Sequence, residues 1–442
     1  MLKEIYQEKD KMHTAPSFSL FLGSITSNLV ICKDIKMGKI FDDRVDYAIN
    51  NIWINPWSGN GEKAFQLLTE AANEEDGDAC FFLARCYFGQ SFVNPIFGFP
   101  EDDELGYKWL NKGLEYGSPV AMFGAMRVGG FEPKNGTFVY PPFSSLREIW
   151  DKVEEMAYSG EVFCQYMIAN AYYYGDCIKI FSIPDSEVSL SMVQEWMYKA
   201  IELYEKCIAN GLGLGIQNLI NIITSGDYGI PVNEKRASEL RHIGADMKIG
   251  AFERAVGREL ENENPAKAVE MYERALLHGD KYSYYYLGMM YTYNGKMGVN
   301  LPKALEYFEN ELKYDPESIR AKNRISEILF YGGEGVQTDY DRVFKLLSEV
   351  YNENDWGSDM LGTCYLKGLG TPVNYEKARE ILSKYTADTL NAIGLGEIYC
   401  YGLGVPQDIS RGMKYFDQFP NHPRVIENKR HFKKTLFGWK MI

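Results

Sequence analysis

A chain of 442 residues with 45% hydrophobic and 14% aromatic residues has enough apolar surface for several cores or one long repeat array. Its formal net charge of −14 repels phosphate backbones and anionic lipid, which excludes general nucleic-acid binding and favours a partner with a basic segment. The eight cysteines form no CxxC pair and the five histidines do not cluster beside them, so no metal site is expected and the thiols read as reduced, in a cytoplasmic protein.

The first apolar stretch, Phe18–Ile31, is broken by Gly23, Ser24, Thr26, Ser27 and Asn28 and is preceded by mixed charges at Glu8, Lys9, Asp10 and Lys11. A secretory signal needs a cationic start, an unbroken apolar run and a small residue at its cleavage site. Bulky Ile31 before Cys32 also spoils a lipoprotein box. Nothing along the chain reaches the roughly 18 apolar residues of a membrane span. The stretch reads as a buried helix within an N-terminal helical cap, residues 1–61.

From Glu62 the chain repeats itself. Lys267–Asp280 carries Ala268, Tyr272, Ala275 and Leu276 on one helical stripe, and Lys303–Asp315 copies it with Ala304, Phe308 and Leu312. Gly106–Ser118 and Glu62–Ala79 fit the same pattern. The first small or apolar position of each copy is Ala64, Gly106, Ile149, Ala200, Ala237, Ala268, Ala304, Val343, Ala378 and Gly412, an anchor for each of about ten units. The longest intervals come from insertions at Ser91–Glu101, Phe131–Ser145 and Cys177–Glu195.

Between anchors lies a second element. Leu361–Ala378 and Leu395–Gly412 share Leu, Gly, Tyr, Gly, Gly and Pro at matching places, with weaker copies at 219–237, 287–304 and 325–343. Leu361 and Tyr365 fall on one helical face, Gly362 admits a neighbouring helix, and Gly368 ends the helix in the left-handed conformation. Pro372 blocks helical continuation, and Asn374 offers a side-chain oxygen to cap the next helix, as Asn300, Asp339 and Asp408 do in their copies. Gly368 and Gly402 are therefore expected at positive φ. The array, 62–418, is followed by a basic, amphipathic capping helix, 419–442.

Lys-Ala, an aromatic pair, Leu-Gly-x-x-Tyr-x-x-Gly-x-Gly and an Asp/Asn-Tyr-x-Lys-Ala restart resemble the SEL-one-like repeat family, a relative of the tetratricopeptide repeats. Leu361, Gly362, Tyr365, Gly368, Gly370, Tyr375, Lys377 and Ala378 carry the resemblance, which covers roughly Glu62 to Asp417. It implies an all-α, α/α superhelical solenoid of about ten helix-pair repeats that acts as an adaptor in protein assemblies.

Catalytic signatures are weak. Gly211–Gly215 follows what reads as a helix end, without the buried strand a dinucleotide loop needs, and Gly332–Gly335 likewise reads as a turn. Glu101, Asp102, Asp103 and Glu104 suit the start of a helix, where carboxylates offset the dipole. No catalytic residue, cofactor or metal is assigned. One pattern points to binding: two and five residues after successive anchors stand Asp151/Glu154, Glu202/Glu205, Glu239/His242, Glu270/Glu273 and Glu306/Glu309. They lie off the apolar stripe and are expected to line up along one solenoid face, either for a basic partner or as a solvated surface with Glu202–Lys206 and Glu270–Arg274 pairs. The sequence thus favours a non-enzymatic protein-binding scaffold. A dedicated regulator or immunity-type neutraliser of one partner is the alternative, and an enzyme with a site in the inserted N-terminal half is the third class. Partner identity and oligomeric state are not encoded in any motif.

Overall fold

The computed structural model describes residues 40–89, 98–127, 141–351, 356–435 and 438–442. The Phe18–Ile31 helix, Cys32 and most of the first two insertions lie outside these residues. The fold is all-α and superhelical, built from repeated helix pairs. By internal packing the chain divides into two compact units, Met1–Glu253 and Arg254–Ile442.

In the first unit, a short helix Asp43–Ala48 runs on as a π-helical turn, Ile49–Ile54. Its Trp53 ring packs against Phe82 and Phe163 at 5.4 and 5.7 Å. Helix pairs follow at Gly61–Asn73 and Gly77–Tyr87, Asp103–Glu115 and Pro119–Arg127, Leu146–Tyr158 and Val162–Tyr174, and Leu190–Ala209 and Ile216–Ser225. Glu234–Asp246 is succeeded by Gly250–Leu260, which spans the division between the units. In the second unit the pairs are Pro265–Leu277 and Ser283–Met290, Leu301–Tyr314 and Ile319–Tyr331, Tyr340–Val350 and Ser358–Lys367, Tyr375–Leu382 and Thr389–Tyr401, and Ile409–Phe416 and Pro423–Lys429.

Every anchor named from the sequence falls in the first helix of a pair and is buried. The reason is geometric: small residues there let the first helix lie close on the second. The glycine of each Leu-Gly motif works from the other side. Gly288, Gly362 and Gly396 sit beneath Phe308, Leu382 and Phe416, each four residues past the next anchor, and a Cβ at any of these glycines would overlap that side chain. Gly368 and Gly402 end their helices at φ of 72° and 70°, the left-handed conformation expected of them.

The connections share one device. The residue that caps the next helix donates its backbone N–H to a carbonyl on the helix just completed: Asn300 to Tyr291, Asn374 to Tyr365 and Asp408 to Tyr399, each at 2.9 Å. Asp339 does the same to Leu329, Asn233 to Ile223 and Asp102 to Tyr87. The same six side chains accept from the third helical N–H, as with Asp408 Oδ1 and Arg411 N at 2.9 Å. Each connection is therefore closed at both ends by hydrogen bonds.

The expected capping helix over 419–442 is corrected. Pro423–Lys429 is helical, started by Pro423 at its first position, but Phe432–Thr435 (β1) and Gly438–Met441 (β2) form an antiparallel hairpin. Phe432 pairs with Met441, Lys433 with Lys440 and Lys434 with Trp439. Alternation puts Phe432, Lys434, Trp439 and Met441 on one hairpin face. Phe432 is buried there with Cys400, Met413, Phe416 and Val425, and Trp439 packs on that cluster. From the sequence, basic residues interleaved with Ile426, Phe432, Leu436, Phe437 and Trp439 read as an amphipathic helix. Glu397 fixes the preceding helix. It is 3% exposed and accepts from Arg424 Nε at 2.6 Å, Arg424 NH2 at 2.8 Å and Lys367 Nζ at 2.6 Å. Cys80, Cys86, Cys164, Cys177, Cys207, Cys364 and Cys400 are all buried free thiols.

Candidate protein-binding surface

The acidic positions project from the first helices of successive pairs, off their buried faces. In the first unit Asp151 pairs with Arg147 at 2.8 Å, and Glu154 accepts from the Tyr172 hydroxyl at 3.2 Å. Glu202 pairs with Lys206 at 2.6 Å, the solvated-surface pair foreseen from spacing. Glu205 accepts two bonds from Arg236, at 3.0 and 2.6 Å, and Glu239 takes a third at 3.1 Å. In the second unit Glu309 meets Arg342 NH2 at 2.5 Å, whereas Glu270, Glu273 and Glu306 are exposed. Arg274, the proposed mate of Glu270, donates to Met271 Sδ.

Glu205–Arg236 and Glu309–Arg342 share a logic the sequence reading missed. The acid stands five residues after one anchor and the arginine immediately before the next. Part of the acidic row is therefore mortar between neighbouring repeats. The residue before the anchor has a further recurring contact. Lys63, Lys199, Lys303, Lys377 and Arg411 lie over the rings of Tyr47, Tyr172, Tyr291, Tyr365 and Tyr399, at 3.9 to 5.4 Å from their centroids. The Lys-Ala dipeptides at Lys63, Lys199, Lys303 and Lys377 were the available signal.

A different surface lies on the second helices of the C-terminal unit. Arg254 stands over Tyr282 and Tyr286, Arg258 over Tyr286, Arg320 over Tyr282 and Tyr285, and Arg324 over Trp356. Arg320 and Arg324 are one turn apart on one helical stripe. Each of three arginines also holds a carboxylate: Arg254 with Asp280 at 2.8 Å, Arg320 with buried Glu311 at 2.5 Å and Arg324 with Glu327 at 2.7 Å. Tyr282, Tyr331 and Trp356 remain exposed on this side. Although about half of the Tyr331 side chain is exposed, partial desolvation, then the nearby Asp359, Glu327 and Asp388 carboxylates, push its hydroxyl up to about 12. Burial likewise lifts Asp359 to about 6. The Tyr284–Tyr286 run was the trace of this face in the sequence.

Among the described residues, no group of three or more His, Cys, Asp or Glu is placed to hold a metal ion, and no helix is long and apolar enough to cross a membrane. Gly211–Gly215 is a turn: a 3-10 segment, Gly213–Gly215, leads into the helix at Ile216. Asp102 caps the Asp103–Glu115 helix, with Asp103 and Glu104 in its first turn.

Comparison with known families decides the repeat type. The Sel1 repeat model matches residues 58–76, 77–117 and 162–180 in the first unit, and 256–280, 281–310, 359–384 and 392–418 in the second. This is a Sel1-repeat protein. No curated protein matches the chain. Among solved structures, the Sel1-repeat chain is similar to c5321, a protective antigen present in uropathogenic Escherichia coli strains that displays an SLR fold. That likeness has 18% identity and a TM-score of 0.50, and covers 88% of this chain and 78% of the other. A Sel1 repeat protein from Oxalobacter formigenes matches at 16% identity and a TM-score of 0.34, over 42% of this chain and 80% of that one.

Proposed function

We propose that this Sel1-repeat protein is a non-enzymatic adaptor that holds a partner protein on its repeat surface. Tetratricopeptide-like repeat folds generally serve as protein–protein interaction scaffolds, which supports the reading. The observation that carries it is the row of exposed carboxylates Glu270, Glu273 and Glu306, at equivalent positions of consecutive repeats and off the packed stripe. In a chain of net charge −14 such a row steers a basic partner segment, and the association rate falls with salt.

The test separates this row from the carboxylates that join repeats. Full-length protein and a triple Glu270→Lys, Glu273→Lys, Glu306→Lys variant serve as parallel baits in the native host, with bound proteins identified by mass spectrometry. Glu205 and Glu309 are left intact because they hold Arg236 and Arg342. A partner retained by the parent, lost by the variant and weakened by salt is the expected outcome. Equal retention at low and moderate salt would make the row a solvated face and move binding to the arginine–aromatic side.

A further inference from the structure

A second site lies elsewhere on the C-terminal unit, independent of the acidic row. A cleft of about 590 Å³ is lined by residues that include Arg379, Tyr399, Asp408, Ser410, Arg411 and Trp439. Arginines from successive repeats, Arg379 and Arg411, line this one cleft. The Arg411 guanidinium lies 3.9 Å from the Tyr399 ring centroid, and Tyr399 is itself stacked on Tyr415 at 6.0 Å and 7°. That stack holds the Arg411 fork in place and reduces the entropy a ligand must remove.

Charge distinguishes this cleft from the rest of the chain. Arg236, Arg254, Arg320, Arg342 and Arg424 are each joined to a carboxylate. Among the described residues, neither Arg379 nor Arg411 forms an ion pair. Asp408 contributes the one lining carboxylate, and its Oδ1 accepts from Arg411 N. The hairpin reinforces the sign. Lys434 is exposed and pairs across the strands with Trp439, so it shares the hairpin face that reaches the cleft. Arg424, Lys429 and Arg430 are instead held by Glu397, Asp417 and Glu427, which leaves Lys434 as the hairpin's cation on this face.

We infer that this cleft binds a phosphate monoester, with the dianion on Arg379 and Arg411 and an aryl or other flat group against Trp439. Two planar forks and the Ser410 hydroxyl supply more donors than a carboxylate has oxygens, and they match the three terminal oxygens of a phosphate. The phosphate could be carried by a small molecule or by a phosphotyrosine side chain. Both present the same chemistry.

Isothermal titration of the full chain with phenyl phosphate, inorganic phosphate and benzoate tests this. Phenyl phosphate is expected to bind saturably and about tenfold tighter than benzoate, and to tighten as pH rises through its second ionisation near 6. Arg379→Gln and Arg411→Gln are each expected to weaken it by about tenfold or more. Trp439→Leu is expected to weaken phenyl phosphate and spare inorganic phosphate. Arg379→Lys, which keeps charge and loses the fork, provides a milder change should a glutamine variant unfold, and it is expected to bind more weakly than the parent. A phosphotyrosine peptide that binds tighter than phenyl phosphate assigns the source to a protein, and equal affinity assigns it to a small molecule. Absence of saturable binding by either phosphate, or binding indifferent to both arginines, overturns the inference.

Discussion

Two connections, Tyr399–Asp408 and Tyr87–Asp102, end in the same pair of hydrogen bonds although the second spans fifteen residues and the first nine. Both lie within stretches the Sel1 pattern matches, 392–418 and 77–117, and the longer carries the first insertion. Their common closure shows that repeat register is held at the ends of the connection and not by its length. Loop-closure entropy agrees, since doubling a flexible loop costs only about 0.6 kcal/mol. The two units differ in the same way. The first keeps its helix pairs with long inserted connections, and the second keeps short ones.

The sharpest break of that comparison lies at the end of the regular half. Glu397→Ala leaves Arg424 and Lys367 without their shared carboxylate and should lower stability by about 2–3 kcal/mol, the partial exposure of both cations tempering a larger buried-pair cost. Chemical denaturation reads it. Burial pushes the Glu397 carboxyl up, but Arg424 and Lys367 outweigh it and hold the group below the usual glutamate range. Its contribution is present above that range and is lost as pH falls through the depressed value.

Close approach comes next. Gly396→Ala places a methyl against Phe416 and should cost about 1–3 kcal/mol, while Gly59→Ala meets open space and is strained only by its φ of 78°. A thermal scan that ranked Gly59→Ala as the more damaging would break the packing account.

The comparison itself is tested by the caps. Asp408→Ala and Asp102→Ala should each cost about 1 kcal/mol, because both side chains cap a helix in the same geometry. A much smaller loss at Asp102 would mean that the inserted connection is not held as the short one is. Gly402→Val, at the start of the short connection, should cost about 1 kcal/mol or more.

The smallest effect is a pH slope. Burial lifts Asp78 to about 6 against the lowering effect of its Ser118 hydrogen bond, and Asp359 is lifted to a similar value. Each favours the protonated folded state, so its contribution is complete below the ordinary aspartate range and lost as pH rises through about 6. Asp78→Asn should flatten the stability profile between pH 4 and about 6 in its own unit.

The helix pairs were legible because most anchors are small and are followed four residues later by an aromatic or leucine, a spacing that suits one helical face. The glycine turns were legible because positive φ leaves few residue choices. The roles of the acidic row were less so: a glutamate five residues past an anchor looks the same whether it faces solvent, as Glu273 does, or grips the next repeat, as Glu309 does. The difference lies in whether the next repeat begins with a residue that reaches back, Arg342, or stacks on tyrosine, Lys303. The hairpin was misread because its basic and apolar residues interleave as they do on an amphipathic helix. The cleft was invisible, since Arg379, Arg411 and Trp439 are brought together only by the hairpin's return onto the repeat.

The doubly closed connection has a consequence for how such a chain can change. Because the Asn374–Tyr365 hydrogen bond fixes where one repeat stops and the next starts, the few residues after Gly370 and before Asn374 behave as a cassette. Foreign sequence grafted there should leave the frame of the array untouched, and each of the six connections closed this way offers a similar insertion port. A lineage could thus acquire new surface loops one repeat at a time without re-solving the packing of its helices.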